Sequence, residues 1–310
     1  MPSRRRRRLV EIWAEPGGCA EGRVDLMFWL IEAAARAGAT TFKAQWVSDP
    51  AKLCTRRHAP EYLADYQKIA YPVEWHRVFR EHARAIGVSY GCSIYLAEDA
   101  ATVAPFVNFL KVSSFESQSD VLDAAVATGK RVIASLGMGG RPVGHCVEWM
   151  ACTSSYPAPL DDLGLGRLDG RGDFSFDLPH LVQGYSDHSH DVRVGAWAVC
   201  AGAQLIEAHI RLDDTDPANK DYTVAFTPSE FAWYVKHIRD AERALGDGVQ
   251  RVMPSEAAML PYRSLPVRRG FDSAELGDPM NPMRDRLAPP VWPHYREPPS
   301  PARRNRDRLR

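Results

Sequence analysis

The chain has 310 residues, 45% of them hydrophobic, enough to bury one large core or two modest ones. Lys+Arg and Asp+Glu both total 39, so the charge balance gives no reason to expect nucleic acid as a partner. No run approaches the roughly 18 apolar residues of a membrane span, and the six cysteines lack disulfide or CxxC spacing, so reduced thiols in a cytoplasmic protein are expected.

Residues 1–8 carry an arginine run and read as a solvated basic tail, because Leu9 to Ala14 is too short for a signal-peptide core. Eight β-rich runs then alternate with helical ones. Val10 to Ala14 ends at Glu15, and Thr40 to Phe42 ends at Lys43 and Gln45, whose i, i+2 spacing puts both on one face. Gly87 to Tyr90 ends near Ser93, and Asn108 to Leu110 ends at Lys111, Ser114 and Glu116. Arg131 to Ala134 ends at Ser135, and Trp149 to Cys152 runs into Thr153 to Tyr156. The last two runs, Leu181 to Tyr185 and Ala203 to Ala208, break at Ser186-Asp187-His188 and at His209.

Amphipathic stretches Val24–Ala37, Glu74–Ile86, Ser119–Thr128 and Pro228–Leu245 predict helices between strands, and Val192 to Ala201 predicts another. Eight alternations up to about residue 265 predict an α/β fold, a (β/α)8 TIM barrel with its site where the strands end. A doubly wound open sheet is the rival, but no Gly-rich dinucleotide turn follows the first strand. Gly139 to Val147 is too short and too rich in Gly and Pro for a full crossover helix after strand five, and Leu163 to Gly172 is glycine-rich where a helix is expected. From residue 266 to 310 a Pro- and Arg-rich segment without periodicity predicts an irregular tail.

Strand, helix and strand around Val192–Ala201 form a βαβ unit, so His188 and His209 sit at the same end of neighbouring strands about 4.8 Å apart. Two solvated loop histidines are the plainer reading, and one shared divalent ion is the sharper one; His190 is an alternative ligand. Lys43 and Lys111 at strand ends around one mouth favour an anion site over two solvated lysines. Ser93 and Ser135 serve equally well as helix caps.

Taken in order, these strand ends resemble the N-acetylneuraminate (sialic acid) synthase family, which includes legionaminate and pseudaminate synthases. The matching pieces are Ala14-Glu15 with Gly17, Lys43-Ala44-Gln45, Lys111 to Glu116, Ser135 to Met138, Cys152 to Pro157, Gly184 to Ser189 and Ile206 to His209. The resemblance implies metal-assisted condensation of phosphoenolpyruvate with an N-acetylated aldose such as N-acetylmannosamine, releasing phosphate and giving a nonulosonic acid. It assigns Glu15 and Glu116 to proton transfer and cation stabilisation, and Tyr156 and Asp221 to the sugar. Lys43, Gln45, Ser93, Lys111, Ser114, Ser135 and Ser186 suit the phosphate ester. His188 and His209 would hold the divalent ion, Mn2+ first, with Mg2+ or Co2+ as alternatives.

The chain departs from the family at Cys19-Ala20, where an Asn-His pair is usual, at Asp221-Tyr222 and Ala225, where Asp-His and Ser are usual, and at Ala208, where Lys is usual. Of the small antifreeze-like domain that ends the family and reaches into a partner subunit, only the start, Tyr262-Arg263-Ser264-Leu265, has a counterpart, which leaves a homodimer open. Two other functions compete: a different metal-dependent aldol-type enzyme on the same barrel, and a non-catalytic paralogue that binds a phosphorylated ligand or a partner protein.

Overall fold

Residues 9–143, 147–168 and 182–263 are described in the computed structural model of the chain. The basic segment 1–8, Leu181, Ser264-Leu265 and the tail 266–310 lie outside the described residues, as do parts of the two glycine-rich connections. Eight parallel strands hydrogen-bond in chain order: β1 (Glu11–Glu15), β2 (Thr41–Gln45), β3 (Ser89–Ile94), β4 (Phe109–Val112), β5 (Arg131–Leu136), β6 (Glu148–Cys152), β7 (Val182–Asp187) and β8 (Leu205–His209). β1 pairs with both β2 and β8, so the barrel is closed.

Period-two alternation gives the strands an outer and an inner face. Outward positions such as Ile12, Phe42, Tyr90, Leu110, Val132, Trp149, Tyr185 and Ile206 belong to the main apolar shell between strands and helices. Inward positions near the strand starts, Trp13, Phe109, Ile133, Met150 and Leu205, form a separate plug inside the barrel. One step further along most strands the inward residues turn polar: Glu15, Lys111, Ser135 and Glu207 follow Trp13, Phe109, Ile133 and Leu205. Both faces are buried, as parallel sheets require.

The helices are α1 (Val24–Ala37), α2 (Pro50–Arg57), α3 (Leu63–Gln67), α4 (Trp75–Ala85), α5 (Ala97–Val103), α6 (Asp120–Ala127), α7 (Val194–Cys200) and α8 (Pro228–Leu245). α1 ends at Gly38, whose φ of 96° gives the left-handed cap that a Cβ-bearing residue resists. α8 starts with a capping box in which Thr227 and Glu230 satisfy each other's backbone N–H, and it buries Phe231, Tyr234, Val235 and Ile238. Among the described residues no helix links β5 to β6, and only two 3-10 turns, Leu160–Asp162 and Leu165–Arg167, lie between β6 and β7. The strand ladder nevertheless closes there, with Ile133 to Leu136 in register with Glu148 to Ala151.

The compact barrel unit ends at Val249, short of residue 265; the next described element is a 3-10 segment, Pro254–Tyr262, with no buried residue. No described helix is long and apolar enough to cross a membrane. Cys19, Cys54, Cys92, Cys152 and Cys200 are free thiols.

Candidate active site

The inward polar residues at the strand ends, with the loops that follow, line a cavity of about 630 Å3. All thirteen residues singled out in the sequence line it: Glu15, Lys43, Gln45, Ser93, Lys111, Ser114, Glu116, Ser135, Tyr156, Ser186, His188, His209 and Asp221. Strand register explains this convergence. Ser93 lies beside Lys111, Gln45 beside Ser93, Ser186 beside Glu207, and Glu15 beside His209.

The floor is a buried charge network centred on Glu207. Lys111 Nζ donates to both Glu207 oxygens at 3.0 and 3.1 Å, and Ser186 Oγ donates to Oε1 at 2.8 Å. Lys43 Nζ lies 2.7 Å from Glu15 and 3.3 Å from Glu207, and donates to Ser93 Oγ at 2.6 Å. Gln45 Nε2 donates to Glu15. Burial opposes the charge on Lys43, but Glu15 and Glu207 outweigh it and raise its pKa. Burial pulls Lys111 below its ordinary value, offset in part by Glu207 and reinforced by Lys43. Burial would raise Glu207, yet the two lysines hold it well below the usual carboxylate range. Two lysines thus share one carboxylate wholly and a second in part.

The mouth carries the aromatic and imidazole groups. The rings of His188 and His209 lie 5.6 Å apart, and Tyr156 stands 4.3 Å from His188 and 6.2 Å from His209. The Thr153 carbonyl accepts from His188 Nδ1 at 2.8 Å, which leaves the Nε2 lone pair free of a proton. Burial, and then His209, push His188 down to about 3, so it is neutral at physiological pH and in the form that binds metal. His209 Nδ1 is buried without a hydrogen-bond partner. An orphaned imidazole nitrogen beside a second neutral imidazole suits a metal ion. Among the described residues no group of three or more His, Cys, Asp or Glu side chains is placed to hold a metal ion. His190 does not line the cavity; it stacks on Phe226 at 4.9 Å.

Asp221 is fixed by the loop after β1, accepting from Gly18 N at 2.7 Å. A Cβ at Gly17, which has a φ of 54°, would fall 2.3 Å from Asp221 Oδ2, so glycine is required for this approach. Cys19, in the same loop, is buried, its Sγ 3.7 Å from Asn219 Oδ1. Ser114 Oγ lies 2.8 Å from Ser154 Oγ. Ser135 borders the cavity as part of β5 and is not a helix cap.

The lining residues outside that set include Arg57, Glu207 and Lys220. Glu207 precedes His209 by two on one strand, a spacing that puts both inside the barrel. Arg57 ends α2, where basic residues are common for helix-dipole reasons alone and signal nothing. Lys220, adjacent to Asp221, lays its ammonium over the Tyr66 ring at 5.1 Å.

The model of the NeuB family matches residues 30–250. The N,N'-diacetyllegionaminic acid synthase of Campylobacter jejuni subsp. jejuni is 27% identical over 275 residues, 79% of this chain and 80% of that protein. The human N-acetylneuraminate-9-phosphate synthase is 25% identical over 277 residues, 80% of this chain and 74% of its own. The crystal structure of N-acetylneuraminic acid synthetase from Leptospira borgpetersenii serovar Hardjo-bovis superposes with a TM-score of 0.70 at 23% identity, covering 82% of this chain and 91% of that one, a likeness of fold.

Proposed function

Since the chain belongs to the NeuB family, we propose that it condenses phosphoenolpyruvate with an N-acetylated aldose to give a nonulosonic acid and inorganic phosphate. The observation that carries this reading is the buried pair Lys43 and Lys111 on the cavity floor, under a mouth bearing two imidazoles and Tyr156. Five cations, Lys43, Arg56, Arg57, Lys111 and Lys220, face four carboxylates, Glu15, Glu116, Glu207 and Asp221, around the cavity. A phosphate ester contributes about −1.5 to −2 and its carboxylate a further charge. One net positive charge does not balance that, and a divalent ion on His188 and His209 would.

In this reading Lys43, Lys111, Ser93, Ser114, Ser135 and Ser186 hold the phosphate and carboxylate through charge-assisted hydrogen bonds. Tyr156 and Asp221 orient the open-chain sugar, so that its aldehyde meets carbon 3 of the enol. When bound, the ion supplies Lewis-acid polarisation of that aldehyde. The new carbon–carbon bond leaves a cation at carbon 2, which takes up water; the tetrahedral intermediate then expels phosphate. Glu15 and Glu116 are the carboxylates within the cavity for moving protons in these steps and stabilising the cation.

The test is phosphate release from phosphoenolpyruvate with Mn2+ and a panel of N-acetylated hexoses. The expected result is release that depends on both sugar and metal, with a product mass equal to the sum of the two substrates and water, less phosphate. Phosphoenolpyruvate binding without turnover on any sugar would instead favour the binding-only paralogue.

A further inference from the structure

Arg57 reaches the cavity from an element that packs on its own. The segment after β2, with Val47, Leu53, Cys54, Tyr66 and Ile69, joins Tyr95 and Leu96 in an apolar cluster separate from the main shell. From the end of α2 the guanidinium turns its Nε and Nη2 toward one carboxylate. Nε donates to Glu116 Oε1 at 2.9 Å, and Nη2 donates to Oε1 and Oε2 at 2.7 and 2.8 Å. Nη1 donates to the Tyr66 hydroxyl at 3.0 Å. Tyr66, Tyr95 and Phe115 surround the guanidinium, with ring centres 5.6, 5.1 and 4.8 Å away. The side chains of Arg57 and Glu116 are 16% and 2% exposed, so the pair is shielded from solvent. Burial opposes the arginine charge, and Glu116 more than offsets it.

A buried carboxylate in the same cavity as a bound trianion would repel it. We infer that Arg57 is the positioning residue for Glu116: its fork aims the carboxylate, and its charge cancels the field that would otherwise keep the anionic substrate out. This rests on the reading that phosphoenolpyruvate binds at Lys43 and Lys111. A cation held by a bidentate contact and enclosed by three rings acts through Glu116, whereas a ligand-binding arginine would turn its Nε–Nη2 fork toward the cavity.

The experiment compares Arg57→Gln, Arg57→Lys, Glu116→Gln and the double variant Arg57→Gln/Glu116→Gln in the full chain, by calorimetry with phosphoenolpyruvate and by phosphate release. Arg57→Gln should weaken phosphoenolpyruvate binding at least about tenfold, and Glu116→Gln in the same chain should restore it to within about threefold of the parent. Arg57→Lys, which keeps the charge and loses the fork, should retain affinity while kcat falls about tenfold. In the double variant kcat should equal that of Glu116→Gln alone, itself about 100-fold below the parent. Affinity lost in Arg57→Gln and not restored by the second substitution would mean that Arg57 holds the ligand itself, and the inference would fall. If the parent binds no phosphoenolpyruvate, the substrate reading is what fails. Thermal unfolding of the same four proteins then decides the pairing: a coupling of about 3 °C or more supports it, and additive shifts overturn it.

Discussion

Glu207 and His76 show opposite ways of burying a titratable group. Glu207 stays charged because Lys43 and Lys111 surround it. His76 has no charged partner; its Nδ1 meets the Tyr90 hydroxyl at 2.7 Å, and burial alone pushes it down to about 3. An unfolded histidine titrates near 6.5. Between those values the unfolded chain binds a proton that folded His76 does not, so stability rises with pH across the window and is lost on acidification. The slope is about 1.4 kcal/mol per pH unit for each such histidine, and His188 adds a second in the metal-free protein. Urea unfolding of His76→Gln should therefore show a shallower dependence between about pH 4 and 6, by about 1.4 kcal/mol per unit. A slope equal to the parent's would mean that His76 is protonated in the fold. Twelve of the thirteen site residues were legible because strand ends in this alternation point to one mouth, and Asp221 only through the family resemblance. Arg57 was not, since its partner Glu116 lies 59 positions away and nothing local announces the contact.

Elements with local signals kept their predicted bounds, and those without shifted. Val24–Ala37 and Pro228–Leu245 emerge as read, because Gly38 and the Thr227-Glu230 box write their ends into the sequence. β3 was expected at Gly87 to Tyr90 and lies at Ser89–Ile94. Its interior, Gly91-Cys92-Ser93, has low strand propensity and is extended only because β2 and β4 pair with it. α2, α3 and α5 are short and lacked a clear apolar period. Gly91 also has a steric duty in the plug. A Cβ there would lie 2.1 Å from Phe109 Cζ, and that ring is tilted against Trp13 with centroids 4.2 Å apart. Gly91→Ala should cost about 1–3 kcal/mol in chemical unfolding, and Phe109→Leu added to it should recover part of the loss. An unchanged midpoint would show that the plug is loosely packed.

Across the whole molecule, charge pairs brace both ends of the barrel. Arg131 at the start of β5 donates to Glu148 on β6 at 2.7 and 2.6 Å and to Glu11 on β1 at 2.8 Å, beneath the plug. At the opposite end the lysine network ties β2, β4 and β8 together. The apolar plug between them separates the catalytic mouth from the far end, so binding and stability are assigned to different layers of the same strands.

The pairing of β1 with β8 joins residues that leave the ribosome far apart in time. Glu11 lies against Leu205 and Glu15 against His209, so the first strand waits for the last with its hydrogen-bonding edge bare. Until then the nascent sheet has two open edges, β1 and the most recently made strand, which invite pairing with other chains. A chain stopped after Ala203 should consequently collect in the insoluble fraction, whereas one stopped after Val249, with β8 and α8 in place, should remain in solution and unfold cooperatively. Soluble, cooperative unfolding of the shorter chain would show that seven strands suffice. Synthesis order therefore sets a point of no return for this molecule, and it falls at His209, the last residue of β8.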